Sequence, residues 1–208
     1  MARAKDIFVR CDELENLPSE NRANYLFELE WLASELPRDC TVLQVGSMDG
    51  MRARRLLEVR PDLHITGLEI EDELVELSSK NVADHADHTS FVHGDITKPP
   101  AMLATYTYVI CLNNTLGYIP DVNGAINQMT RLGKAVVISV YGEKFDDSLA
   151  RRYFDSIGLT VREVSGDVVR LEDFSAVRRF PRASVEAWHG TAVVETPIGY
   201  LTTLPGSA

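Results

Sequence analysis

Cysteine is scarce in this chain of 208 residues. The three that occur, Cys11, Cys40 and Cys111, form no C-x-x-C pair and are odd in number. That pattern speaks against a disulfide framework and suits a reducing cytoplasm, which is the expected location. Long apolar runs are missing as well. Stretches such as AVVISV at 135–140 are far short of the roughly 20 residues that cross a bilayer, and Met1–Arg10 lack the apolar centre of a signal peptide. Basic charge is in deficit, with 21 Lys and Arg against 31 Asp and Glu and a formal net charge of −10. A broad footprint for nucleic acid or an anionic membrane is therefore not expected, and the partner is read as a small molecule. There is no Walker loop and no G-x-S-x-G elbow to support phosphate transfer or hydrolysis. Internal repeats and low-complexity linkers are also lacking.

What is present is an alternation of short elements. The composition, 45% hydrophobic and 25% charged, is that of an ordinary soluble domain. The length suits one α/β domain over 1–208, with an N-terminal helical segment over 1–40 and an α/β core over 41–208. Residues 21–36 carry Tyr25, Leu26, Leu29, Leu32, Ala33 and Leu36 at helical spacing, and Pro37 stops the helix. Strands are predicted at Thr41–Val45, His64–Glu69, Ser90–Val92, Tyr108–Leu112 and Ala135–Tyr141. Helices are predicted at Met51–Val59, Glu71–Asp84, Val122–Leu132 and Asp146–Ile157. Nearly continuous apolar strands alternating with helices predict a parallel, doubly wound, Rossmann-like sheet with right-handed crossovers. After Gly158 the pattern becomes strand-like with little helix: Leu159–Val164, Val168–Leu171, Thr191–Glu195 and Tyr200–Leu204. A turn at Pro197-Ile198-Gly199 predicts a C-terminal antiparallel hairpin.

In such sheets ligands bind beyond the carboxyl ends of the strands, so the residues after each strand carry the functional reading. The first strand runs into Gly46-Ser47-Met48-Asp49-Gly50, and the second ends in Glu69, 23 positions after Gly46. A glycine turn followed by an acid at that distance is the layout of a nucleoside-binding βαβ unit. The dinucleotide pattern G-x-G-x-x-G fails at two of three places, since Met48 and Met51 stand where glycines belong. A methionine in the pyrophosphate path disfavours NAD or a flavin dinucleotide.

The tips together resemble the motifs of class I S-adenosylmethionine-dependent methyltransferases, over roughly residues 25–165. Gln44, Gly46, Met48 and Gly50 fall on the first motif, which keeps two glycines but has Gln44 in place of its acid. Gly67-Leu68-Glu69-Ile70 resembles the second motif, His93-Gly94-Asp95-Ile96 the third, and the segment from Val109 through Leu112 and Asn113 to Gly117 the fourth. The resemblance implies S-adenosylmethionine as cofactor. It implies ribose hydroxyls on Glu69, adenine on Ile70 and its exocyclic amine on Asp95, a ring nitrogen at the Ile96 amide, and the methionine portion beside Leu112 and Asn113. Gly46, Ser47, Met48 and Gly50 would form the turn around it, with Gln44 near the ammonium end.

The activity so implied is methyl transfer to a small-molecule acceptor. The alternatives are a non-catalytic cofactor-binding protein and an aminopropyl or carboxypropyl transferase on the same fold. Candidate general bases are Tyr118, Tyr141, Glu143 and His189, unranked. Tyr25 reads as core rather than as a cover for the cofactor. The sequence neighbours Asp84, His85, Asp87, His88 and His93 read as a solvated helix end, so no metal site is expected. Arg178, Arg179 and Arg182 read as a solvated loop, with an alternative role bordering the acceptor pocket and gripping one carboxylate or phosphate. Oligomeric state is left open, a homodimer included.

Overall fold

The computed structural model describes residues 9–172 and 176–207; most of Met1–Arg10, where no signal peptide is expected, lies outside them. Two one-turn 3-10 segments, Val9–Asp12 and Leu14–Asn16, lead into helix α1, Ser19–Glu35. Then follow β1 (Thr41–Val45), α2 (Met51–Val59), β2 (His64–Glu69), α3 (Asp72–Asn81), β3 (Thr89–His93) and β4 (Tyr106–Cys111). The core closes with α4 (Val122–Leu132), β5 (Gly133–Tyr141) and α5 (Asp147–Ser156). Side chains cap two of these helices: Asp121 Oδ1 accepts from the Gly124 amide at 2.9 Å, and Asp146 Oδ1 from the Leu149 amide at 2.8 Å. Beyond α5 come β6 (Val161–Ser165), β7 (Val168–Leu171), β8 (Val177–Arg178), α6 (Arg182–Glu186), β9 (Val193–Glu195) and β10 (Gly199–Pro205).

Seven strands form one sheet in the order β3-β2-β1-β4-β5-β10-β9. The first five run parallel, and β10 is antiparallel to both neighbours. The order reverses direction at β1 and β4, which places the crevice at their carboxyl ends. Burial follows strand alternation. Leu43, Val45, Val109, Val136 and Ile138 pack on one face with Ala125 and Met129 of α4. Val42, Ile65, Ile110 and Val137 pack on the other with Leu32 of α1 and Leu56 and Leu57 of α2.

The segment after Gly158 differs from the sequence expectation in two respects. β6, β7 and β8 form a separate antiparallel sheet, and only β9 and β10 join the main one as the expected hairpin. The short helix α6 also lies between the two sheets, where little helix is expected; Pro181 sits immediately before it, pre-set for a helix start. The small sheet packs with α5 and the 3-10 segments into a third cluster around Phe145, Tyr153 and Phe154. Among the described residues no helix is long and apolar enough to cross a membrane.

Candidate active site

A cavity opens at the carboxyl ends of β1, β2 and β3 and runs past the segment after β4, with about 880 Å³ of free space, part of it open to solvent. Of the residues the sequence singles out, Gly46, Met48, Glu69, Ile70, Asp95, Ile96 and Asn113 line it together. One end is walled by Leu68, Glu69, Ile70, Leu74, Asp95 and Ile96. The other is walled by Cys11, Tyr118 and Tyr153.

The turn after β1 is built by two unusual backbone positions. Gly46 has φ +69°, and a Cβ there would lie 2.5 Å from Thr115 Cγ2. Met48 adopts φ +53° with a full side chain, a conformation that needs support. Glu69 supplies it: its Oε2 accepts from the Met48 amide at 2.8 Å, while its Oε1 accepts from the amides of Ile70 at 2.8 Å and Glu71 at 3.3 Å. Ser78 Oγ completes the turn by donating to the Met48 carbonyl at 2.7 Å. Glu69 is 6% exposed, and burial raises its carboxyl above the ordinary value while the three amides pull the other way. With two bonds on Oε1 and one on Oε2, the carboxylate keeps acceptor capacity on the Oε2 side, toward the cavity it lines. Ile70, 60% exposed, offers an uncovered apolar side chain at the same end. Asp95 is held as an Asx turn, accepting from the Thr97 amide and hydroxyl, both at 2.8 Å.

Four of the predicted site residues do not line this cavity. Gln44 alternates with Val45 along β1, so its side chain lies on the face under α1, where it is buried and its Oε1 has no protein partner. Leu112 is buried in the core cluster on that same face. Ser47 is enclosed, its Oγ unpartnered, against Gly67. Gly50 has φ +80° at the start of α2, where a Cβ would press on Ser78 and Val82; its role is the turn itself. The candidate bases divide likewise. Tyr118 faces the cavity. Tyr141 is buried behind it and donates to Asn113 Oδ1 at 2.8 Å. Glu143 lies outside, accepting from the Tyr200 hydroxyl at 2.5 Å, and His189 is exposed beyond α6.

The arginine patch does not border the cavity. Arg179 donates to the carbonyls of Phe145 and Gly166 and to Asp147, and Arg182 pairs with Glu186 at 2.8 Å and Glu195 at 3.1 Å. The histidines are tied locally: His88 stacks on His64 with ring centroids 4.8 Å apart, and His93 Nε2 bonds the Ile70 carbonyl. No group of three or more potential metal ligands occurs among the described residues.

Sequence reasoning passes over the residue that anchors the floor of the site. Glu28 of α1 is fully buried. Its Oε1 accepts from Asn24 Nδ2 at 3.0 Å, the Asn113 amide at 3.1 Å and Ser139 Oγ at 2.6 Å, and its Oε2 meets Arg52 of α2 at 2.5 Å. The guanidinium of Arg52 in turn lies 3.9 Å from the ring centre of Tyr25, which is core as expected. A signal exists in hindsight: Asn21, Asn24 and Glu28 share one helical face with buried Tyr25 and Leu32, while apolar Leu26 is 44% exposed.

Residues 42–135 match the family model described as a methyltransferase domain. That stretch carries a methyltransferase domain, set in the Rossmann-like sheet described above. S-adenosylmethionine is the methyl donor of that family, and the uncovered Ile70 with the acceptor capacity left on Glu69 fits its nucleoside. No curated protein is similar in sequence. Among solved structures the chain resembles DesVI of Streptomyces venezuelae at 16% identity and a TM-score of 0.64, covering 89% of this chain and 93% of that one. It also resembles the magnesium protoporphyrin IX methyltransferase of Synechocystis PCC 6803, solved with bound S-adenosylhomocysteine, at 13% identity and a TM-score of 0.54, covering 91% and 84%. A third, from Galdieria sulphuraria, was assigned as a sarcosine dimethylglycine methyltransferase. It is 23% identical with a TM-score of 0.50 over 64% of this chain, which spans only 53% of that longer protein. At these identities the likeness is one of fold.

Proposed function

We propose that this protein transfers the methyl group of S-adenosylmethionine to a small-molecule acceptor. The observation that carries the reading is the convergence of Gly46, Glu69, Asp95 and Asn113, from four separate strand tips, on one cavity. When bound, the donor supplies an already activated methyl group on a sulfonium, so the protein's share is positioning and exclusion of water. In this reading Glu69 accepts from ribose, Ile70 covers the adenine, Asp95 accepts from its amine and the Ile96 amide donates to a ring nitrogen. Asn113, fixed through its amide by Glu28 and through its side chain by Tyr141, borders the methionine portion. The acceptor enters from the Tyr118 end. Incubation with methyl-labelled S-adenosylmethionine and a metabolite pool tests the reading. Label in a small organic product together with S-adenosylhomocysteine supports it. Release of methylthioadenosine would point to aminopropyl or carboxypropyl transfer instead, and binding without turnover to a non-catalytic role.

A further inference from the structure

The two ends of the cavity differ in charge. Its acids, Glu69, Glu71 and Asp95, all stand at the β2 and β3 end, and no Arg, Lys or His lines it among the described residues. The opposite end offers Tyr118, Tyr153, Cys11 and Asn113, none of them charged side chains at neutral pH. Tyr153 donates its hydroxyl to Cys11 Sγ at 3.6 Å, and Asn113 Oδ1 is taken by Tyr141. The Tyr118 hydroxyl is different: it has no hydrogen-bond partner among the described residues, and its ring packs against the aromatic cluster of α5.

We infer that the Tyr118 end is an acceptor subsite for a small primary or secondary amine, with the Tyr118 oxygen accepting a hydrogen bond from the amine N–H. The inference rests on the methyl-transfer reading and narrows its substrate class. A carboxylate or phosphate would find no cation to pair with and three acids in the same cavity, a cost that desolvation magnifies. A hydroxyl or phenol acceptor must lose a proton as it reacts, and the far end holds no base to take it. Burial keeps the Tyr118 phenol well above its ordinary value, so it stays protonated. An uncharged amine needs no base beforehand. Its lone pair forms the N–C bond as the methyl C–S bond breaks with its electron pair going to sulfur. The positive charge passes from sulfur to nitrogen, and the product ammonium loses its proton to water afterwards. Tyrosine rings are suitable neighbours for that charge.

The test is binding, read by ligand-observed NMR at pH 9 on protein saturated with S-adenosylhomocysteine, with benzylamine and benzoate as matched probes. Benzylamine should bind and benzoate should not. Tyr118→Phe, which removes one oxygen and keeps the ring, should retain S-adenosylhomocysteine and weaken benzylamine about tenfold, the scale of one lost hydrogen bond. Benzoate binding as tightly as benzylamine, neither probe binding, or an unchanged benzylamine affinity in Tyr118→Phe would each overturn the amine assignment while leaving methyl transfer standing. Failure of S-adenosylhomocysteine itself to bind would overturn both.

Discussion

Replacing Glu28 gives the sharpest test of the site's construction. This carboxylate is fully buried, serves four donors on four segments, and joins α1 to α2, β5 and the segment after β4. Glu28→Ala leaves the Arg52 guanidinium, itself 5% exposed, without its carboxylate, and removes the acceptor of the Asn113 amide and the Ser139 hydroxyl. Breaking a buried ion pair from one side costs about 3–5 kcal/mol. For a chain of this length 1 kcal/mol moves the midpoint by roughly 2–4 °C, so the thermal midpoint followed by circular dichroism should fall by roughly 6–20 °C. A cycle separates the charge pair from the rest. Glu28→Gln and Arg52→Met should each destabilise, and the double variant should cost less than their sum by about 1.5–3 kcal/mol, the value of a charged hydrogen bond, because each single variant already loses the Glu28–Arg52 interaction. Costs that add to within about 0.5 kcal/mol, or a midpoint loss below about 3 °C in Glu28→Ala, would refute the reasoning.

S-adenosylhomocysteine at 100 times its Kd should stabilise the protein by about 2.7 kcal/mol and NAD should not; a midpoint raised by NAD alone would reverse the cofactor assignment. Gly46→Ala forces φ +69° on a residue with a Cβ and drives it against Thr115, so a loss of about 1–3 kcal/mol is expected in urea unfolding, and an unchanged midpoint would show the turn to be free to relax. Glu69 links stability to pH. Its folded value is raised above the unfolded one, so its contribution is complete below the ordinary carboxylate range and is lost as pH rises through the raised value. Wild type should therefore lose stability relative to Glu69→Gln as pH rises above the ordinary carboxylate range, and a difference independent of pH would contradict the burial argument. With a formal net charge of −10, no gel shift of tRNA or duplex DNA is expected at physiological salt; micromolar binding would refute the small-molecule assignment.

Periodicity made most of the fold readable. β1, α2, β2, α4 and β7 stand where their apolar spacing puts them, because each buries a face of the expected period. The small sheet around β7 was less readable, since its partners depend on packing with α5 rather than on local pattern. At the strand tips, what was legible is that Gly46, Met48, Glu69, Asp95 and Asn113 come together around one cavity. Gln44 was misplaced because a motif aligned along the chain ignores strand alternation, which sends position 44 to the face opposite Val45. Glu69, legible as a ligand-facing acid, is also tied to three amides and holds Met48 in its unusual conformation, which depends on contacts across 21 positions and not on local pattern. Glu28 was hidden because its partners lie 24, 85 and 111 positions away, apart from Asn24.

The place of β10 in the sheet bears on how the chain reaches its native state. β10 is made after β9, yet it sits between β9 and β5 and alone seals the outer edge of β5. That edge is nine residues long and includes AVVISV. On the ribosome it stays open until roughly 60 further residues are added, some 3–12 s at ordinary rates of synthesis. During that interval β5 is a hydrophobic strand with unpaired amides and carbonyls, the usual template for intermolecular pairing. Yield of soluble protein should consequently depend more on residues 199–205 than on any surface loop, and slower synthesis should lengthen the exposure rather than relieve it.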